Sequence, residues 1–549
     1  MFSNRISYVT RCQVHVVAAA AASVPIPGVL SRRMLDGSGS SLLVLRRLRS
    51  SKDDSAHSYS STVMKNGDGI DIDDNMHTHS WNEMTMSQNL RKMQYAVRGQ
   101  VVLRADELKT EGKEIIYTNI GNPHSVGQKA ITYYRQVLAL CDLPAECGVD
   151  HPSVSQMFPA DVVLRAREYR SAIGPAGTGA YTNSQGVALF RKHVAAYISK
   201  RDGHPAYPGD IFLTNGASAG IQNCLTALIA SNKDAIMIPI PQYPIYSALI
   251  TLLGGQQVGY ALDEQMGWAV TKEVLEKCLT DATAKGIKVK ALAVINPGNP
   301  TGQVLDRAAL ETVCQFCAAH GIVLLADEVY QRNVYVEDKK FISMKKVACE
   351  ASGCENLELV SFHSTSKGLI GECGRRGGYM ELHNICPEVH AELYKLACTS
   401  LCSGTAGQIM TSLMVQPPQE GEDSFELFKK EESDIFNSLV RRSASLVKGL
   451  NSIPGIDCQP AEGAMYAFPS IKIPIGAIVA AKNEGQSPDM LYALSLLEAT
   501  GICVVPASGF GQEQGRYGFR TTFLPPEETL IVAVGRFREH HEHFCKRYA

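Results

Sequence analysis

No uninterrupted apolar run in this 549-residue chain reaches the roughly 18 residues that a membrane-spanning helix needs, so a soluble protein without membrane contact is expected. An excess of either charge is also lacking. A formal net charge of -2 and a pI near 6.7 leave no electrostatic footprint for nucleic acid or for an acidic surface. Cysteine is plentiful but not arranged for metal. Of 16 cysteines only Cys314 and Cys317 stand as C-x-x-C, inside a helical pattern, and no second pair follows at zinc-ribbon spacing. The thiols are therefore read as reduced and buried, no metal is expected, and a reducing compartment follows. Acidic residues are missing from Met1 to Ser31, where Arg5 and Arg11 stand among Ser, Thr, Ala and Val; that is the composition of an organellar transit peptide, mitochondrial in this reading. Periodicity is missing from Ser50 to about His79, which reads as disordered spacer. No internal repeat is present.

What remains is ordinary for a soluble enzyme of more than one domain: 45% hydrophobic and 20% charged residues. Leu90, Met93, Val97, Val101 and Leu108 recur at helical spacing, which predicts a first amphipathic helix. From residue 210 short apolar runs alternate with helical sequence: Ile211–Thr214, Ala235–Pro239, Lys290–Ile295 and Gly321–Ala326, then Leu357–Phe362. This alternation predicts an α/β fold with a mostly parallel sheet and crossover helices. Past Ser403 the character is mixed, with a long charged helix over Phe425–Leu450 and short strands near Gly501–Pro506 and Tyr517–Leu524. Together with the first helices these suggest a smaller α+β domain made from both chain ends. The expected boundaries are 1–80 for transit peptide and spacer, 81–155 for an arm and part of the small domain, 156–410 for the large domain, and 411–549 for the rest of the small one.

In such a sheet ligands bind at the carboxyl ends of the strands, and polar residues gather where each apolar run stops. Ser364-Thr365-Ser366-Lys367 places an amine behind small hydroxyls, with Arg375-Arg376-Gly377-Gly378-Tyr379 close behind. That combination suits a ligand with both an aldehyde and a phosphate, because the amine forms a Schiff base while hydroxyls and a guanidinium fork hold the dianion. Asp327 ends one run, Tyr330 follows it, and Asn299 lies in Asn296-Pro297-Gly298-Asn299-Pro300-Thr301-Gly302. Tyr243, fixed between prolines, offers a flat face to an aromatic ring, and Ala217 with Ser218 opens a helix whose free amides suit an anion. Gly121 lets the backbone approach a ligand closely. A pyridine aldehyde phosphate needs each of these groups: a lysine, a carboxylate beside the ring nitrogen, donors to the phenolic oxygen, a stacking face and a phosphate cradle.

The ordered set Asn-Pro-x-Asn-Pro-Thr-Gly, Asp-Glu-Val-Tyr, Ser-x-Ser-Lys and Arg-x-Gly-Tyr resembles the fold-type I pyridoxal-phosphate aminotransferases. Within them, Ile120–His124, Pro241–Tyr246, Asn296–Gly302 and Gly371–Gly374 are similar to the alanine aminotransferase family, over about residue 85 to the end. The resemblance implies a seven-stranded, mostly parallel sheet with a smaller α+β domain, pyridoxal 5'-phosphate as cofactor, and amino transfer between L-alanine and 2-oxoglutarate. It implies that Lys367 forms the Schiff base and then shuttles a proton, that Asp327 faces the pyridinium, and that Tyr330 and Asn299 bond the phenolic oxygen. Arg376 with Ser364, Ala217 and Ser218 would hold the phosphate, Arg520 and Gly121 the substrate, and Tyr181 the phosphate of a neighbouring subunit, hence a homodimer. Glutamate:glyoxylate transfer is the alternative within the same class, and a non-catalytic regulatory protein of the same fold is the alternative outside it. No residue for the distal carboxylate of glutamate is legible.

Overall fold

The computed structural model describes residues 79–549, together with the backbone of two strands, Arg32–Leu35 and Ser41–Val44, paired antiparallel. The transit peptide and spacer expected over residues 1–80 otherwise lie outside the described residues. The chain divides into the units Met1–Asn82 and Glu83–Ala549. In the second, the apolar runs form one sheet of seven strands: β1 (Ile211–Leu213), β2 (Asp234–Ile240), β3 (Gln256–Ala261), β4 (Lys288–Ile295), β5 (Val323–Asp327), β6 (Leu359–Ser364) and β7 (Gly378–His383). Their order is β1-β7-β6-β5-β4-β2-β3. Neighbours from β6 through β3 pair parallel, whereas β7 runs antiparallel to both β6 and β1.

These strands read as nearly unbroken apolar runs because both faces of the sheet are covered. Alternate residues enter separate cores. Ile236, Ile238, Ala291, Ala293 and Leu325 join one core with Ile221 and Leu225 of the helix Ala217–Leu228, while Met237, Leu292, Val294 and Leu324 join another with Leu310, Cys314 and Cys317 of the helix Arg307–His320. Each large side chain buried this way contributes about 1.5–3 kcal/mol. The cysteine pair thus serves as small apolar core, as expected.

Parallel pairing brings the carboxyl ends of β1, β4, β5 and β6 to a single edge. Because β7 is antiparallel, its start reaches the same edge: Gly378 pairs with Ser364 and Tyr379 with Leu213. The two ends of the unit meet in a small parallel pairing of Ile116–Tyr117 with Ile502–Cys503, and the three strands Tyr466–Ala467, Phe519–Thr522 and Val505–Pro506 form another small sheet. One expectation needs correction. The apolar repeat through Leu90 and Leu108 is not one helix but a short helix Gln88–Lys92, a 3-10 turn Ala96–Arg98 and a second helix Gln100–Thr110. The chain becomes extended at Met93 and again at Gly99, so that Val97 enters the core, and tertiary packing overrides the local period.

Beside the sheet lies a buried charge cluster with three acids and two bases. Arg201 makes a two-pronged contact to Asp202 at 2.7 and 2.6 Å and stands 3.8 Å from Glu328, and Lys345 bonds Glu381. The surplus acid is Glu328, whose Oε1 accepts the Met344 amide at 2.7 Å. Burial pushes its carboxyl up to about 8, against the pull of Arg201. The folded protein therefore holds a proton there that the unfolded chain releases at ordinary carboxylate pH. The stabilisation from neutral Glu328 is complete below the unfolded value and is lost as pH rises to about 8. Glu328→Gln keeps the neutral form at every pH, so its denaturant midpoint should gain on the native chain between pH 6 and pH 9; a constant gap across that window would refute the assignment.

Candidate active site

The shared strand edge borders a cavity of about 500 Å³. Eleven of the twelve residues singled out from the sequence line it: Gly121, Ala217, Ser218, Tyr243, Asn299, Asp327, Tyr330, Ser364, Lys367, Arg376 and Arg520. The twelfth, Tyr181, is 77% exposed and does not line its own chain's cavity.

Lys367 stands just beyond β6, and its Nζ donates to the Gly121 carbonyl at 2.6 Å. The glycine is required by space. A Cβ at Gly121 would collide with the Tyr466 hydroxyl and come within 2.8 Å of Lys367 Nζ. Asp327, the last residue of β5, is 3% exposed. Its Oδ2 accepts from Tyr246 at a long 3.4 Å, and its Oδ1 has no hydrogen-bond partner among the described residues. Burial pushes this carboxyl up to about 6, while the Val329 backbone N–H, the Tyr246 hydroxyl and the Lys367 charge pull it down. A buried carboxylate oxygen without a donor is costly unless a ligand supplies one.

The opposite need appears at Arg520, on the strand Phe519–Thr522. It is 1% exposed, yet it forms no ion pair with a described carboxylate. Its Nη1 donates to Asn299 Oδ1 at 3.0 Å, its Nη2 to the Asn119 carbonyl, and its Nε to nothing. The guanidinium lies over the rings of Tyr466 at 4.2 Å and Phe510 at 4.9 Å. Such stacking holds the fork in place while keeping it short of an anion.

A second anion site is built at the start of the helix Ala217–Leu228. Gly216 precedes it at φ 73° and gives no side-chain cap, so the first amides stay open beside Ser218. A Cβ on Gly216 would stand 2.6 Å from Arg376 Nη2, which shows how closely that guanidinium covers the turn. Arg376 bonds Ser366 Oγ at 3.3 Å and the carbonyls of Cys373 and Asn215 at 3.1 and 3.2 Å, with no carboxylate partner among the described residues. Arg375 instead leans toward Glu372 at 3.8 Å, outside the cavity.

Among the cavity residues that went unassigned in the sequence are Tyr95, Arg98, Ser366, Cys373 and Tyr466. Tyr466 is the most consequential. It is 2% exposed and accepts from the Tyr330 hydroxyl at 3.0 Å. Burial would raise its hydroxyl, but the charges of Lys367 and Arg520 and the bond from Tyr330 outweigh it, leaving it below the usual phenol range. Burial holds Tyr330 and Tyr243 well above that range. Nothing local marks Tyr466 for this place, since it arrives from a strand remote in sequence. Tyr95, likewise hidden by the mistaken helix, bonds Tyr243 hydroxyl to hydroxyl at 2.9 Å.

The arrangement thus suits a ligand with two anionic groups, one for Arg376 and the helix start and one for Arg520, in a cavity that also presents an amine and a buried acid with one oxygen unpartnered among the described residues. Residues 154–537 match the family model described as aminotransferase class I and II. A probable mitochondrial alanine aminotransferase of Dictyostelium discoideum is 50% identical over 86% of this chain and 91% of its own length. Glutamate–glyoxylate aminotransferase 1 of Arabidopsis thaliana is 47% identical over 84% of this chain and 96% of its own. The solved alanine aminotransferase from Pyrococcus furiosus superposes with a TM-score of 0.66 at 26% identity, over 83% of this chain and all of that one. The chain belongs to the aminotransferase class I and II family, and its fold is that of the fold-type I aminotransferases. In Gly121→Ala the methyl group must displace Lys367 Nζ or the Tyr466 hydroxyl, and misplacement on that scale lowers turnover on the order of 100-fold. Steady-state amino transfer checks this beside a thermal melt; unchanged turnover in a folded variant would mean the amine does not act from this position.

Proposed function

We propose that this enzyme transfers an amino group between L-alanine and 2-oxoglutarate, giving pyruvate and L-glutamate in two half-reactions, with pyridoxal 5'-phosphate held at Lys367. The observation that carries the reading is the pair of buried, incompletely partnered groups that share a cavity with Lys367: Asp327 with a free Oδ1 and Arg520 without a carboxylate. These residues fit the cofactor. Asp327 would accept a hydrogen bond from its ring nitrogen, Tyr243 would stack on the ring, and Tyr330 with Asn299 would bond its phenolic oxygen. Arg376, Ser364, Ser366 and the open amides of Ala217 and Ser218 would take its phosphate. When bound there, pyridoxal phosphate supplies an electron sink that acidifies the α-hydrogen of an amino acid.

The chain's own work follows from the site. Arg520 orients the substrate by a two-pronged bond to its α-carboxylate, a planar partner for a planar fork. Lys367 Nζ takes the α-proton and returns it, and its contact with the Gly121 carbonyl keeps it on the cavity side. Tyr466 and Phe510 exclude water from the Arg520 face. The choice of alanine rests on the 50% identical Dictyostelium protein, whose name carries that substrate, as does the Pyrococcus structure. Tyr181, exposed and away from its own cavity, is read as reaching a partner's phosphate site in a homodimer. A mitochondrial matrix location is supported by the acid-free start of the chain and by the Dictyostelium protein's name.

The test is a panel of amino donors and oxo acids on the purified holoenzyme, with Lys367→Ala as control. Alanine with 2-oxoglutarate is expected to be the fastest pair, and borohydride should fix the cofactor to the Lys367 peptide. The control should lose roughly 10²- to 10⁴-fold in rate. Cofactor binding without transfer from alanine would overturn the substrate reading, glutamate with glyoxylate as the dominant pair would replace it, and an active Lys367→Ala would overturn the chemistry.

A further inference from the structure

Two tyrosines that line the cavity, 148 positions apart in the chain, share a hydrogen bond. The hydroxyls of Tyr95 and Tyr243 stand 2.9 Å from one another, and neither has another hydrogen-bond partner among the described residues. The proposed function gives Tyr243 a face for the cofactor ring and gives Tyr95 nothing. Yet the segment that carries Tyr95 is firmly held. Its carbonyl accepts the Arg98 N–H at 3.2 Å, which closes the 3-10 turn Ala96–Arg98. Val97 is 9% exposed, and Ala96 packs on Gly509 so tightly that a Cβ there would lie 2.5 Å from its own. Earlier in the segment, Asn89 Nδ2 donates to the Leu252 carbonyl at 3.3 Å, near the end of the helix Ile245–Leu253 that starts two residues after Tyr243. The contacts therefore close a ring, from Tyr243 along its helix to Leu252, across to Asn89, and back through the arm to Tyr95.

We propose that Tyr95 is a positioning residue for pyridoxal 5'-phosphate: its hydroxyl fixes the plane of the Tyr243 ring, and so the affinity and tilt of the cofactor stacked on it. This rests on reading the cavity as the site of that cofactor. A stacking face by itself needs no hydroxyl, since phenylalanine offers the same ring; here each hydroxyl serves only the other. The main chain at Tyr243 is held between Pro241 and Pro244 and by the Gln242 N–H, which donates to the Phe510 carbonyl at 2.9 Å. Beyond the main chain two side-chain torsions remain, the second of them broad. The bond to Tyr95 pins their far end. Burial holds the Tyr243 hydroxyl well above the usual phenol range, so it stays a neutral partner at neutral pH. The arm that supplies Tyr95 is anchored beside the same reference point: Ala96 meets Gly509, and the next residue, Phe510, both takes the Gln242 N–H and lies under the Arg520 guanidinium at 4.9 Å. Stacking face and substrate fork are thus set from one short turn, Ala507–Phe510.

The test is a double-mutant cycle of Tyr95→Phe, Tyr243→Phe and the two combined, each of which keeps both rings. Equilibrium dialysis of the full-length holoenzyme against graded pyridoxal 5'-phosphate, and against pyridoxamine 5'-phosphate, gives two affinities for each protein. The second compound carries no aldehyde for Lys367, so its affinity reports stacking and phosphate binding alone. In Tyr95→Phe both affinities should fall roughly 2- to 12-fold, the value of one neutral hydrogen bond, and the visible circular dichroism of the bound cofactor should change amplitude as its tilt relaxes. Tyr243→Phe should match this loss. The double variant should be no worse than either single one, because each change removes the same bond. Native affinity in Tyr95→Phe, whatever its melting temperature, would make the bond merely structural and overturn the assignment, and so would losses that add in the double variant; in both cases the reading of the cavity stands. A native chain that retains neither form of the cofactor would bring down that reading, and this assignment with it.

Discussion

A buried guanidinium that meets no carboxylate is the constraint on which the rest depends. Arg520 is nearly inaccessible, stacked on two aromatic rings and bonded only to an amide oxygen and a backbone carbonyl. Such a group survives inside a protein only when many other contacts fix it there. The fixing comes from the pairing of Phe519–Thr522 with Tyr466–Ala467 on one side and Val505–Pro506 on the other. The stability thus invested leaves a standing demand for an anion at one place. Asp327 makes the complementary demand for a donor, and the amine of Lys367 sits in the same cavity.

The contrast with the cluster around Glu328 shows that this is specific to the cavity. One residue beyond Asp327 in the chain, Glu328 turns away toward Arg201, Asp202 and the Met344 amide. There the charges are matched among themselves, and the surplus acid is kept neutral by burial. No ligand is needed. Adjacent residues at a strand end point to opposite faces of the sheet, so the chain separates a structural cluster whose charges pair with one another from a cavity lined by unmatched charges within a single peptide unit.

That alternation also explains what was legible beforehand. Asp327 follows its apolar run directly and Asn299 and Lys367 stand on the loops just past theirs, and parallel pairing then determines that they share an edge, so no tertiary knowledge was required. Arg376 was separable from Arg375 by its place before Gly377-Gly378, and the structure puts the two on different sides. Tyr466 was opaque because its own strand is two residues long and its position depends on the partner strand that carries Arg520. Arg98 was opaque for another reason. A helical period carried through Val97 and Val101 buries the same apolar residues as the broken form does, and only Gly99 hints at the break that turns Arg98 toward the cavity.

The polarity of the Tyr330–Tyr466 bond ties these parts together. Tyr330 stays protonated and is the donor, while the charges of Lys367 and Arg520 draw down the Tyr466 hydroxyl that accepts its bond. A single phenol thus feels the charge of both the reacting amine and the carboxylate-binding fork that stacks on its ring, and the missing side chain of Gly121 leaves room for its hydroxyl and the amine. A larger residue at 121 would not merely crowd the cavity. It would separate the group that moves the proton from the group that fixes the carbon bearing it, and proton transfer falls steeply once that geometry is lost.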